Sequence, residues 1–215
     1  MINLIFVTER DRKTLEFIAK WRFVTTEQLQ KAGIFKTARK KAYNRVLALR
    51  QVNLIKAGRL ESGQLYYYLA PRGGEIIGID DPWYAKRYRD AGGDVVLKHL
   101  VACDFALALG IEYLPHQEVL NRLMAASYDV LAKCVRGNDL FYENGGLLHT
   151  LIIDYQYSLK YLSERIKLYS RLPPGVRNQL VVDFLVFDET RQKQILRAAR
   201  ETGLKIKALK ANWKY

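Results

Sequence analysis

Only two cysteines, Cys103 and Cys134, occur in 215 residues, and no CxxC pair. That scarcity excludes a disulfide framework and offers no zinc knuckle. No apolar run approaches the roughly 18 residues that a membrane-spanning helix requires. The opening Met1-Ile-Asn-Leu-Ile-Phe-Val7 lacks a basic flank and meets Thr8-Glu-Arg-Asp11 at once, so no secretory signal is expected. A GxxxxGK phosphate loop, a GxGxxG turn and a serine-centred elbow are also missing. These absences point to a soluble, cytoplasmic protein without membrane attachment and with no expected cofactor.

Acid is the scarcest component locally. The chain carries 35 Lys+Arg against 22 Asp+Glu, a net charge of +13. Residues 1–90 hold 18 of the bases but 9 of the acids, and residues 91–215 hold 17 and 13. No acid lies between Glu27 and Glu61, whereas nine bases do: Lys31, Lys36, Arg39, Lys40, Lys41, Arg45, Arg50, Lys56 and Arg59. Like charges repel unless something neutralises them, so so one-sided a stretch implies a polyanionic partner. A merely solvated basic face is the plainer alternative.

The pattern around this charge is helical. Thr8–Asp11 reads as a capping box before a helix with Leu15, Ile18 and Ala19 inward. Thr25-Thr-Glu-Gln28 caps a second helix that packs Leu29 and stops near Gly33. A third is expected from about Thr37 to Val52, with Ala42, Val46 and Leu49 inward and Arg39, Lys40, Tyr43 and Asn44 on other faces. Leu54–Leu60 and Gln64–Leu69 then read as strands joined by Glu61-Ser-Gly63, and Pro71–Gly78 as a short closing helix. Residues 1–90 are therefore expected to form a winged helix-turn-helix domain for double-stranded DNA. Tyr66, Tyr67 and Tyr68 are expected to pack in the hairpin rather than stack on bases.

Asp80-Asp-Pro-Trp83 and Gly92-Gly93 break the periodicity, which places the domain boundary near residue 90. Beyond it the expected order is a helix over Asp94–Leu109 and strands over Tyr128–Val135, Asp139–Tyr142 and Leu147–Tyr157. A helix at Leu159–Leu172, broken by Pro173-Pro-Gly, a strand at Leu180–Phe187, a basic helix at Arg191–Thr202 and a last strand follow. This is an α+β or α/β arrangement over residues 91–215.

The chain resembles the replication-relaxation family of plasmid and mobile-element proteins. The likeness rests on Thr8-Glu-Arg-Asp-Arg12, Thr25-Thr-Glu-Gln-Leu29, Leu69-Ala-Pro-Arg-Gly-Gly74, His99-Leu-Val-Ala-Cys-Asp104, Ile152-Ile-Asp154 and Lys167-Leu-Tyr169. It spans most of the chain through short motifs. The resemblance implies a DNA-binding winged helix followed by a restriction-endonuclease-like α/β domain, in a protein of plasmid replication, mobilisation or transcription regulation.

Enzymes of that endonuclease-like class hold Mg²⁺ with an acid on one strand and an acid-x-Lys on the next. Asp129 fits the first position and Asp154 the second, but Gln156 stands where the lysine belongs, so the expected site is degenerate and catalytically silent. Lys133 or Lys160 could substitute in space. His99 and Cys103 share a helix face as two metal ligands could, yet further ligands are not evident, so buried packing roles are expected and no metal. His149 is also expected to be structural. Lys193 and Arg197, on the basic helix, suit either a second phosphate contact or a solvated face.

In the expected interface Arg39, Lys40, Tyr43 and Asn44 read base edges, beside Thr37. Lys36, Lys41, Arg45, Lys56 and Arg59 hold phosphates. A homodimer is expected, because one winged helix reads few base pairs, and a replication or transfer protein is a further expected partner. The competing functions are a metal-dependent nuclease, nickase-like, and an adaptor that recruits a replication or transfer enzyme.

Overall fold

The computed structural model describes residues 7–79, 91–115, 118, 119, 121, 140–155, 157–200 and 202–211. The chain is α+β: N-terminal helices with a β-hairpin, then a mixed four-strand sheet with interleaved helices. It divides into two compact units between Ala108 and Leu109.

In the first unit Thr8 starts α1 (Glu9–Trp21) through a reciprocal capping box. Thr8 N–H donates to Asp11 Oδ2 at 2.9 Å and Asp11 N–H donates to Thr8 Oγ1 at 3.3 Å. Leu15 and Ile18 are buried as the spacing predicts, and Ala19 is half-buried. Thr25 repeats the device for α2 (Thr26–Lys31), with Thr25 N–H donating to Gln28 Oε1 at 2.9 Å. Helix α3 (Arg39–Gln51) buries Ala42, Val46 and Leu49. It starts two residues after the expected Thr37, behind an Ala38 that has no side chain to cap it. Asn53 ends it at φ 58, a left-handed conformation that asparagine tolerates better than most L residues.

Strands β1 (Ile55–Arg59) and β2 (Leu65–Leu69) pair antiparallel with Ala57 opposite Tyr67. Val24, between α1 and α2, exchanges both backbone hydrogen bonds with Tyr67, at 3.1 and 2.8 Å. One extended residue thus staples the hairpin to the segment between the first two helices. Alternation along β2 turns Tyr67 inward while Tyr66 and Tyr68 meet Phe23 edge-on at 5.6 and 6.1 Å. They serve as packing residues.

Helix α4 (Pro71–Ile76) begins on a proline, whose missing N–H costs nothing at that position. The helix α5 (Gly93–Leu109), expected to open the second domain, falls with the first unit. Its Val96 and Leu100 cluster with Phe23 and Leu60, Gln28 Nε2 donates to Leu100 O at 2.7 Å, and Lys31 pairs with Asp104 at 2.8 Å. The pattern break around residues 80–93 marks a change of periodicity, whereas the unit ends where α5 has exhausted its apolar partners.

In the second unit β3 (Leu140–Asn144) and β4 (Leu147–Ile153) form a hairpin. Gly145 and Gly146 make its two-residue turn at φ 58 and 74, the positive values that a primed turn needs. Helices α6 (Leu159–Ser170) and α7 (Pro174–Arg177) lead to β5 (Leu180–Val186), parallel to β4. Helix α8 (Glu189–Ala199) leads to β6 (Lys205–Lys210), parallel to β5, giving the order β3-β4-β5-β6. Ile152, Val182, Phe184 and Ala208 share one face of the sheet and pack with Leu162, Ile166 and Tyr169 of α6 and Ile195 of α8. Burying a side chain of this kind stabilises by about 1.5–3 kcal/mol. Pro173-Pro174 starts α7 rather than only ending α6, and β4 stops at Ile153, four residues short of the expected Tyr157. The strand expected at Tyr128–Val135 lies outside the described residues, with Asp129, Lys133 and Cys134.

Gly73 gives this fold a sharp test. A Cβ there would sit 2.0 Å from the backbone oxygen of Leu54, whereas at Gly74 the nearest atom, Ile79 O, is 3.3 Å away. Helix propensity alone favours alanine by about 1 kcal/mol at both positions. Gly73→Ala is expected to lower urea stability by at least about 2 kcal/mol through overpacking. Gly74→Ala is expected to cost less than half of that in the same measurement.

Candidate nucleic-acid interface

Helix α3 and the hairpin carry the residues that the sequence assigns to DNA. Arg39, Lys40 and Tyr43 line a groove of about 570 Å³ with Thr25, Thr26 and Glu27 of the α2 start and Gln64, Leu65 and Tyr67 of the hairpin. Lys36, Thr37, Lys41 and Asn44 are exposed on or just before α3, Arg59 is exposed on β1, and Lys56 is half-buried there. Tyr43 is 41% exposed, unusual for an aromatic ring.

The start of α3 is electrostatically unusual. No side chain caps it, no acid occupies its first turn, and Arg39, Lys40 and Lys41 stand there instead. Helix dipoles favour acids at that end and disfavour bases. This local arrangement is unfavourable for a free helix and favourable for one that meets an anion. The Thr37 carbonyl accepts from Gln30 Nε2 at 3.2 Å.

Arg45, expected to hold phosphate, has an acid partner within the unit. Its Nε donates to Asp11 Oδ1 at 2.7 Å and its Nη2 donates to Asp11 Oδ2. Asp11 is fully buried, so the guanidinium is drawn against α1. Burial alone would raise the Asp11 carboxyl, but hydrogen bonds from Arg45 and Thr8 outweigh it and hold the group below the usual range. Arg59 also has a local partner, donating from Nη1 to Gly63 O at 3.3 Å across the hairpin turn.

Sequence reasoning missed Thr25, Thr26, Glu27 and Gln64 as groove residues. Thr25 and Gln28 announce a helix cap, but nothing in the sequence shows that this cap faces α3. Burial pushes His99 down to about 4, and the charges of Arg22 and Lys98 add to it, while its ring packs on Phe23 at 5.7 Å. Burial likewise raises the Cys103 thiol. Both are packing residues of α5.

In the second unit Asp154 follows β4 directly and lines a cleft of about 330 Å³ with Tyr155, Tyr157, Phe187, Asp188 and Arg191. Arg191 Nε donates to Asp154 Oδ2 at 2.5 Å and Nη2 donates to Oδ1 at 3.2 Å and to Tyr157 O. Both carboxylate oxygens are therefore engaged by one guanidinium. Gln156, like Asp129, lies outside the described residues. Lys160 and Lys193 belong to α6 and α8, and neither lines the cleft. His149 Nδ1 meets Asp183 Oδ2 at 2.6 Å, the Tyr142 hydroxyl donates to the same oxygen at 2.5 Å, and all three side chains are buried. Among the described residues no three His, Cys, Asp or Glu side chains group as a metal site, and no helix is long and apolar enough to cross a membrane. No protein-family model matches the chain, and no curated protein or solved structure matches it either.

The Asp11–Arg45 pair yields a stability prediction with a defined sign. The carboxyl titrates lower in the folded chain, so its contribution is present above about pH 4 and lost as pH falls through the folded value. Arg45→Met leaves a buried carboxylate unpaired, which is expected to cost about 3 kcal/mol at pH 7. Burial then dominates and raises the carboxyl, so the variant's deficit should shrink toward pH 3. Urea melts of both proteins at pH 7 and pH 3 provide the check, and an equal deficit at both pH values counts against the pairing.

Proposed function

We propose that the chain is a sequence-specific double-stranded-DNA-binding protein, acting in transcription regulation or in replication or mobilisation of a plasmid or related mobile element. The observation that carries this reading is the uncapped, acid-free start of α3, where Arg39, Lys40 and Lys41 point outward beside the hairpin. Helix-turn-helix proteins place the first turns of the recognition helix against base edges. Here those turns present Arg39, Lys40, Tyr43 and Asn44, of which Arg suits guanine and Asn suits adenine in bidentate contacts. Lys36, Lys41, Lys56 and Arg59 hold phosphates, with Thr37 beside them. Arg45 also orients the helix through its pair with Asp11. The plasmid assignment draws its support from the family resemblance of the short motifs.

The second unit is read as a non-cleaving platform for a homodimer or for a replication or transfer protein. Its support is the Asp154–Arg191 pair. Arg191 occupies an acceptor site on each carboxylate oxygen, and its positive charge opposes a metal cation at the same group. A metal-dependent nuclease is thus the weaker reading, and an adaptor without DNA contacts leaves the α3 charge unexplained.

Selection of bound duplexes from a random pool, followed by gel shifts, tests the main reading. Arg39→Ala and Asn44→Ala are each expected to lose about tenfold or more in discrimination at one base pair. Lys56→Ala is expected to weaken all duplexes alike and to lower the salt slope by about 1. Two chains per selected duplex are expected in the same titration. Absence of any enriched sequence, with equal affinity for every duplex, defeats the reading of sequence specificity.

Supercoiled plasmid incubated with the purified chain and Mg²⁺ or Mn²⁺ is expected to stay supercoiled. Metal-dependent nicking that disappears in Asp154→Ala makes the protein an enzyme instead.

A further inference from the structure

Among the described residues Glu27 is the one acid that lines the groove shared by α3 and the hairpin. Its carboxylate faces the very residues that are read here as meeting a polyanion, and nearby acid repels phosphate. Placement in the first turn of α2 explains a small dipole benefit, but not the direction in which the side chain reaches. It reaches across to α3, where Glu27 Oε1 and Arg39 Nη2 form an ion pair at 2.8 Å. Among the described residues nothing else engages that guanidinium. Arg39 is 76% exposed, so an isolated surface pair of this kind adds little to stability.

We infer that Glu27 is a specificity-determining residue that positions Arg39 for base reading, an inference that rests on the DNA-binding function proposed above. Two physical effects converge. First, the carboxylate attracts the guanidinium through one nitrogen and biases a long, rotamer-rich side chain before DNA arrives. The remaining N–H donors then form a directed fork for a guanine edge. Second, a fixed negative charge beside the reading residues disfavours every duplex a little. Only a duplex that offers Arg39 a base-edge acceptor pair compensates for it. Repulsion of wrong partners and alignment toward the right one together widen the affinity ratio. Tyr43 and Lys40, which line the same groove, bound the space in which Arg39 moves.

The test uses the full chain and the duplexes that the wild type selects from a random pool, each compared with single-base-pair variants. Glu27→Ala is expected to bind non-selected duplex several-fold more tightly, because one repelling charge is gone. It is also expected to lose most of the roughly tenfold preference at the base pair that Arg39 reads. In an Arg39→Ala background the same change should no longer alter discrimination, since there is nothing left to position. Glu16→Gln removes an equal charge from the exposed side of α1 and should leave the preference intact. Thermal melting of each variant separates misfolding from altered reading. Retained preference in Glu27→Ala overturns this role while leaving DNA binding standing. Wild-type protein that enriches no sequence overturns the sequence-specific reading, and this one with it.

Discussion

A carboxylate taken out of water is costly unless a cation or hydrogen-bond donors meet it, and in this protein that demand organises the first unit. Asp11 is fully buried at the start of α1, where it already completes the capping box with Thr8. Its cation comes from the middle of α3, 34 residues downstream, as a two-pronged contact from Arg45. Charge-assisted forks of this geometry fix direction as well as distance. Once Arg45 is committed inward, helical periodicity determines what faces outward. Arg39, Lys40, Tyr43 and Asn44 cannot be rotated toward α1 without leaving Asp11 unpaired. The same contact therefore folds the unit and aims its surface.

That coupling also explains what could be read from residues in order and what could not. Caps are local: Thr8 with Asp11 and Thr25 with Gln28 satisfy neighbouring backbone groups, so their spacing in the sequence carries their geometry. The inward faces of α1 and α3 were legible for the same reason. Partners across the chain were not. The acid-free stretch marks Arg45 as one base among nine, with no local sign that it serves an acid in α1. Arg191, 37 residues beyond Asp154, is equally silent until β5 brings α8 beside the end of β4. The Glu27–Arg39 contact was invisible because α2 and α3 meet through tertiary packing. Even Val24, which joins the hairpin by two backbone bonds, belongs to too short an extended run to register as a strand.

Both units bury hydrogen-bonded polar groups where a purely apolar core would be simpler. In the second unit Asp183 accepts from Tyr142 while meeting His149 on the same oxygen, and its other oxygen has no hydrogen-bond partner among the described residues. Polar networks of this kind tie neighbouring strands into one register, because a slip would strand a buried polar group. Tyr142 and His149 stand opposite each other on β3 and β4, with their rings stacked at 4.8 Å. Packing and polarity thus specify the same alignment. The Asp154–Arg191 contact works similarly where β4 ends and α8 begins.

The assignment of α5 to the first unit has a consequence for how the chain is made. Synthesis delivers the N-terminus first, and a domain folds once its parts have emerged. The helices and hairpin through Ile76 leave the ribosome well before residues 93–109 do. Until then Phe23, Leu60, Tyr66 and Tyr68 present the surface that Val96 and Leu100 later cover. The nascent unit passes through an interval with an open aromatic patch, a natural docking point for chaperones and for misplaced neighbours. The interval closes only when the last helix of the unit clears the exit tunnel.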